Sequence, residues 1–127
     1  MLVSWLRRYR ASAELRQRES LDDEAIYASY YAESNLPKAL VLQLWHEVAE
    51  TLKVPASQLR PADRFGREIG AYAITSEDLD VLAAKGRQRA KAIGASIDLE
   101  NLNSVDDYVR SFGKLEAIAA KTAGTRT

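Results

Sequence analysis

Residues 52–65 read Leu52-Lys-Val-Pro-Ala-Ser-Gln-Leu-Arg-Pro-Ala-Asp-Arg-Phe65. This stretch divides the chain. The residue ahead of a proline avoids helical angles, so Val54-Pro55 ends whatever helix precedes it. That helix starts at Asn35-Leu36-Pro37, with Asn35 or Leu36 near the cap and the proline in the first turn. Leu40, Val41, Leu44, Val48 and Leu52 recur at helical spacing and form its buried stripe, with Trp45 on the flank. The loop itself runs on to Gly70. Phe65 stands in its middle and is expected to insert between the helices and pin residues 54–70.

Beyond the loop, Thr75-Ser76-Glu77-Asp78 has the form of a capping box, and Glu77, Asp78 and Asp80 suit the positive end of a helix dipole. Leu79, Leu82, Ala83, Gly86, Ala90 and Ile93 follow on one helix, with Gly94 as its stop. Ser104-Val-Asp-Asp107 opens another helix with a second Ser-x-x-Asp cap, and Val105, Tyr108, Val109 and Phe112 face inward from it. Gly113 marks a break. No strand-like alternation of useful length occurs, so the fold class is all-α. The expected core is Leu44, Val48, Leu52, Phe65, Ile69, Leu82, Ile93, Val105, Tyr108 and Val109.

Ahead of this bundle lies an arm. Leu2, Trp5, Leu6, Tyr9 and Ala13 share one helical face, and Arg7, Arg8, Arg10, Arg16 and Arg18 lie mostly off it. Ser20 with Asp22, Asp23 and Glu24 reads as a second helix start, followed by Ile26, Tyr27, Tyr30 and Tyr31. The division is therefore an N-terminal helical arm over 1–35, a helical bundle over 36–113 and a flexible tail over 114–127.

Lys plus Arg and Asp plus Glu both number 18, so the formal net charge is zero. A general nucleic-acid binder carries a basic excess, which this chain lacks. With no cysteine there is no disulfide, thiol catalyst or thiolate metal site. Metal-ligand spacing and glycine-rich phosphate loops are missing too. One histidine, His46, has no readable triad partner, and the carboxylate pairs Asp22/Asp23 and Asp106/Asp107 open helices. No apolar run reaches the roughly 20 residues of a membrane span. Catalytic residues, a metal and enzyme activity are therefore not expected, and the cytoplasm is the expected location.

From Lys38 to Phe112 the order helix, long loop, helix, short loop, helix resembles the acyl carrier proteins. The motifs that carry the resemblance are Leu52-Lys-Val through Pro61-Ala-Asp-Arg-Phe65, and Ile97-Asp-Leu with Asn103-Ser-Val-Asp-Asp-Tyr-Val109. The resemblance implies a small carrier-like helical bundle. It also implies a phosphopantetheine-bearing serine at the start of the second long helix, where a helix terminus favours an anion. Counting from the loop, from Val105 and from Ile97 lands on Ala73, Ser76 and Leu79, of which only Ser76 has a hydroxyl. Thr75 and Glu77 flank it where the family has Asp and Leu.

The expected function is a non-catalytic, carrier-like binding or assembly module without a prosthetic group. One alternative is a divergent acyl or aminoacyl carrier with phosphopantetheine on Ser76. A second is nucleic-acid binding. The expected partner-binding residues are Trp5, Leu6 and Tyr9 on the arm and Lys85, Arg87 and Arg89 on the second long helix. The expected partner is another protein or a second copy of the chain, and the competing surface for residues 2–18 is a membrane.

Overall fold

A computed structural model describes residues 17–65 and 77–125, with side chains described over 17–65 and 78–121. Among these residues the chain is all-α. Its helices are α1 (Asp23–Tyr30), α2 (Lys38–Thr51), α3 (Glu77–Ala92) and α4 (Val105–Thr125). Short 3₁₀ turns occur at Ala56–Gln58 and Leu99–Asn101. No helix among the described residues is long and apolar enough to cross a membrane. The N-terminal arm through residue 16, Ile69 and the Thr75–Ser76 cap lie outside the described residues.

Local chemistry sets the helix ends. Asp22, rather than Ser20, caps α1 by accepting the Ala25 amide at 2.8 Å. Ser104 Oγ accepts the Asp107 amide at 3.2 Å while Asp107 accepts the Ser104 amide, so the expected capping box at α4 forms. Gly94, at φ 66°, ends α3, and the Ala95 amide reaches back to the Ala90 carbonyl at 2.8 Å. The same motif ends α2 on a less suitable residue. Lys53 takes φ 59°, and the Val54 amide reaches the Ala49 carbonyl at 2.9 Å.

Side-chain contacts fix the helix directions. Leu36 lies at Gly113, ahead of α2's first turn, whereas Glu47, late in α2, meets Tyr108, so α2 and α4 are antiparallel. Thr51 meets Lys85 and Glu47 meets Arg89, so α3 also runs against α2. Gly86 lies against Phe112 and Arg89 against Glu116, which makes α3 and α4 parallel. Residues 93–104 must then return along the bundle, and this brings Leu99 against Gly86.

The core holds the expected Leu44, Val48, Leu52, Leu82, Val105, Tyr108 and Val109. Phe65 packs against it, with its ring edge-on to Tyr108 at 6.5 Å between centroids. Three expectations need correction. Ile93 falls in the turn after α3 and is not part of the core cluster. Trp45 is fully buried, because its indole nitrogen finds the Ala56 carbonyl at 2.9 Å. Gly113 does not break α4, which continues to Thr125. That glycine leaves room for Leu36, whose Cδ1 lies 3.0 Å from where a Cβ would stand.

Candidate functional site

An apolar pocket of about 150 Å³ lies between α3, α4 and the two connecting segments. Leu79, Leu82 and Ala83 supply one wall from the first half of α3. Leu99 and Leu102 come from the return segment, Phe65 from the long loop and Tyr108 from α4. Each wall is held from behind. The Phe65 amide donates to the Asn103 carbonyl at 2.8 Å, and Arg64 forms an isolated antiparallel bridge with Ser104. Leu99 and Leu102 sit at opposite ends of a helical turn closed by the Leu102 amide on the Leu99 carbonyl at 3.1 Å. Asp98 caps that turn by accepting the Glu100 amide at 3.1 Å.

Tyr108 has an apolar ring in the pocket and a polar end in a charged network. Its hydroxyl donates to Glu47 Oε2 at 2.6 Å. Arg89 donates to the same oxygen at 2.7 Å and to Glu116 at 2.9 Å. Burial first, then the hydrogen bond and charge of Glu47, push the Tyr108 hydroxyl far above the ordinary tyrosine range. Burial opposes the charge on Arg89, yet the bond to Glu47 and the charges of Glu47 and Glu116 outweigh it, so its pKa is raised. Glu47 thus keeps the tyrosine oriented, and the pocket receives only its ring.

A second, polar groove of about 390 Å³ lies between α2 and α3. It is lined by Leu42, Gln43, His46, Glu47, Glu50, Lys85 and Arg89. The expected partner-binding cations divide here. Lys85 and Arg89 turn toward α2, Lys85 donating to Thr51 Oγ1 at 2.7 Å and Arg89 bridging the two glutamates. Arg87 stays exposed on the outer face. Trp5, Leu6, Tyr9 and Ser76 lie outside the described residues, so none of them is placed beside these three.

His46 Nε2 lies 2.9 Å from Asp23 Oδ1, a surface pair bridging α1 and α2. It lies away from the apolar pocket, whose walls among the described residues hold no acid or base besides the bonded tyrosine. Among the described residues no group of three or more His, Asp or Glu side chains is placed to hold a metal. Nor is any buried side-chain nitrogen or oxygen there without a hydrogen-bond partner.

Comparison with protein-family models, curated proteins and solved structures finds no match. The geometry of the pocket therefore carries the functional conclusion.

Sequence periodicity finds Leu79, Leu82 and Tyr108 but places Leu79 only on its helix and treats Leu82 and Tyr108 as core. Leu99 and Leu102 escape it because a single 3₁₀ turn is too short to show a repeat. Their spacing of three between Asp98 and Asn103 is the one local signal, and it becomes informative only once α3 and α4 are known to run parallel.

Proposed function

We propose that this chain is a non-catalytic binding module on an acyl-carrier-like plan, and that it holds one small apolar group between α3, α4 and the return segment. The observation that carries this is the pocket itself, a space of about 150 Å³ walled by leucines, an alanine and two aromatic rings. Cavities of about this size in protein interiors take one benzene-sized molecule. A single ring or the end of a short acyl chain is the class of group it fits. Burying such a group stabilises it by about 25 cal/mol per Å² of apolar surface removed from water. Among the described residues no side chain on the pocket wall is set up to attack or protonate the guest, which supports binding without chemistry.

The helix order also supports the plan: α2, a long loop, α3, a short helical turn and α4, with α3 and α4 parallel. The prosthetic group of the carrier family fits these residues poorly. Ser76, the one hydroxyl at the expected position, is flanked in sequence by Thr75 and Glu77 where the family has Asp and Leu.

Titration of the full chain with benzene and with a series of short fatty acids tests the proposal. Binding that strengthens over the first few carbons and then levels off is expected, because the pocket fills. No binding across the series contradicts the proposal. Intact mass after coexpression with a broad phosphopantetheinyl transferase tests the carrier alternative. An unchanged mass is expected, and a gain of one arm that Ser76→Ala abolishes would favour the carrier.

A further inference from the structure

Among the described residues Asp63 is the one buried charged residue, 3% exposed. A buried carboxylate without partners is strongly unfavourable, so whatever satisfies it controls the loop around it. Arg18 does most of this, with two bonds of 2.8 Å to the two carboxylate oxygens. The Arg60 amide adds a third at 2.8 Å.

Arg18 lies in the segment over 17–21 just ahead of α1, and the chain there lies along the long loop. Arg18 donates to the Gln58 carbonyl at 3.1 Å, and the Gln58 side chain returns a bond to the Arg18 carbonyl at 3.2 Å. The Leu21 amide donates to the Ser57 carbonyl at 2.9 Å, and the Arg60 guanidinium donates to the Glu19 carbonyl. On its other side the loop is tied to the start of α4. The Asp63 and Pro61 carbonyls accept the Val105 and Asp106 amides, each at 3.0 Å. Two residues beyond Asp63, Phe65 forms a wall of the apolar pocket.

We propose that the segment over 17–21 and the apolar pocket are coupled through Arg18 and Asp63. Drawing that segment away strands a buried carboxylate. The loop over 60–65 then moves to rehydrate it and carries Phe65 off the pocket. By linkage, a guest that packs against Phe65 tightens the attachment of residues 17–21 by the same factor. Arg18 is thus a positioning residue for a ligand it does not touch. The guest's part in this rests on the pocket being a binding site, whereas the control of Phe65 by Arg18 does not.

Amide hydrogen exchange on the full chain separates the two. In Arg18→Ala the Val48 amide in α2, which exchanges through global unfolding, is expected to speed up only by the factor that the loss of stability sets. The Phe65 amide, bonded to Asn103, is expected to exchange at least about tenfold faster beyond that factor, because the loop over 60–65 has opened. Arg18→Ala with Asp63→Asn restores most of the Phe65 protection, since no buried charge is stranded. Should Arg18→Ala fail to fold, Arg18→Lys keeps the charge without the two-pronged geometry and gives a smaller shift of the same sign. Benzene affinity falls in step with Phe65 protection. Equal loss of protection at Phe65 and Val48, or none at Phe65, overturns the coupling. A Phe65 response in a chain that binds no benzene upholds the strap and overturns the binding function.

Discussion

Arg18 and Asp63 are joined by two parallel hydrogen bonds of 2.8 Å across 45 residues of sequence. The carboxylate is almost fully buried and the guanidinium is 30% exposed. Water therefore screens one side of the pair, and the loss on removing Arg18 is smaller than for a fully buried bridge. Arg18→Ala is expected to cost about 2 kcal/mol in urea denaturation. The double variant with Asp63→Asn should cost less than the two single changes added together.

Tyr31 and Tyr108 give the fold an alkaline limit. Burial, then the Asp106 charge and hydrogen bond, raise Tyr31 far above the usual tyrosine range, and burial with Glu47 does so for Tyr108. Unfolded tyrosines ionise near pH 10, about where stability begins to fall. Below that the protonated hydroxyls contribute fully. Above it the unfolded chain loses protons that the folded chain keeps, so stability drops as pH rises. Denaturation midpoints measured on both sides of pH 10 should show this slope, and Tyr31→Phe or Tyr108→Phe should each make it shallower.

Gly86→Ala is expected to destabilise the protein although alanine favours helices. The added Cβ would stand 3.1 Å from Phe112 Cζ and 3.2 Å from Leu99 Cδ2. Phe112 is fully buried and has no room to retreat. Overpacking of this kind costs about 1–3 kcal/mol, against a helix-propensity gain of about 1 kcal/mol. A lower melting temperature would agree, and a higher one would mean that Leu99 yields freely.

Lys53→Gly should act the other way. Lys53 holds φ 59°, a left-handed conformation that side chains resist, and its charge meets Asp78 only at 3.7 Å with the lysine largely exposed. Glycine there removes the strain but adds freedom to the unfolded chain. A net gain of about 0.5–1 kcal/mol in thermal denaturation is expected.

The helices were legible because their apolar stripes repeat over several turns. Leu44, Val48 and Leu52 announce α2, and Val105, Tyr108 and Val109 announce α4. Phe65 could be assigned to the bundle because a lone aromatic ring in a long polar loop needs a place to be buried. Gly113 misled, since a glycine that makes space for Leu36 looks the same in sequence as one that stops a helix. Arg18 was legible only as a charge off the arm's apolar face, because its partner Asp63 lies 45 residues away. The pocket was hidden for a similar reason. Its walls come from four separate segments, and only the parallel course of α3 and α4 brings Leu99 and Leu102 opposite Leu82.

The central claim is that the space among Phe65, Leu82, Leu99 and Tyr108 receives an apolar guest. Methyl-resolved NMR of the full chain, titrated with benzene, tests it most directly. Saturable shifts should concentrate on the methyls of Leu79, Leu82, Leu99 and Leu102 and leave Val41 and Leu44 in place. Ala83→Phe, which fills the space with a ring of its own, should abolish them while the chain remains folded. Absence of saturable shifts at those leucines, or shifts that persist unchanged in Ala83→Phe, would contradict the account.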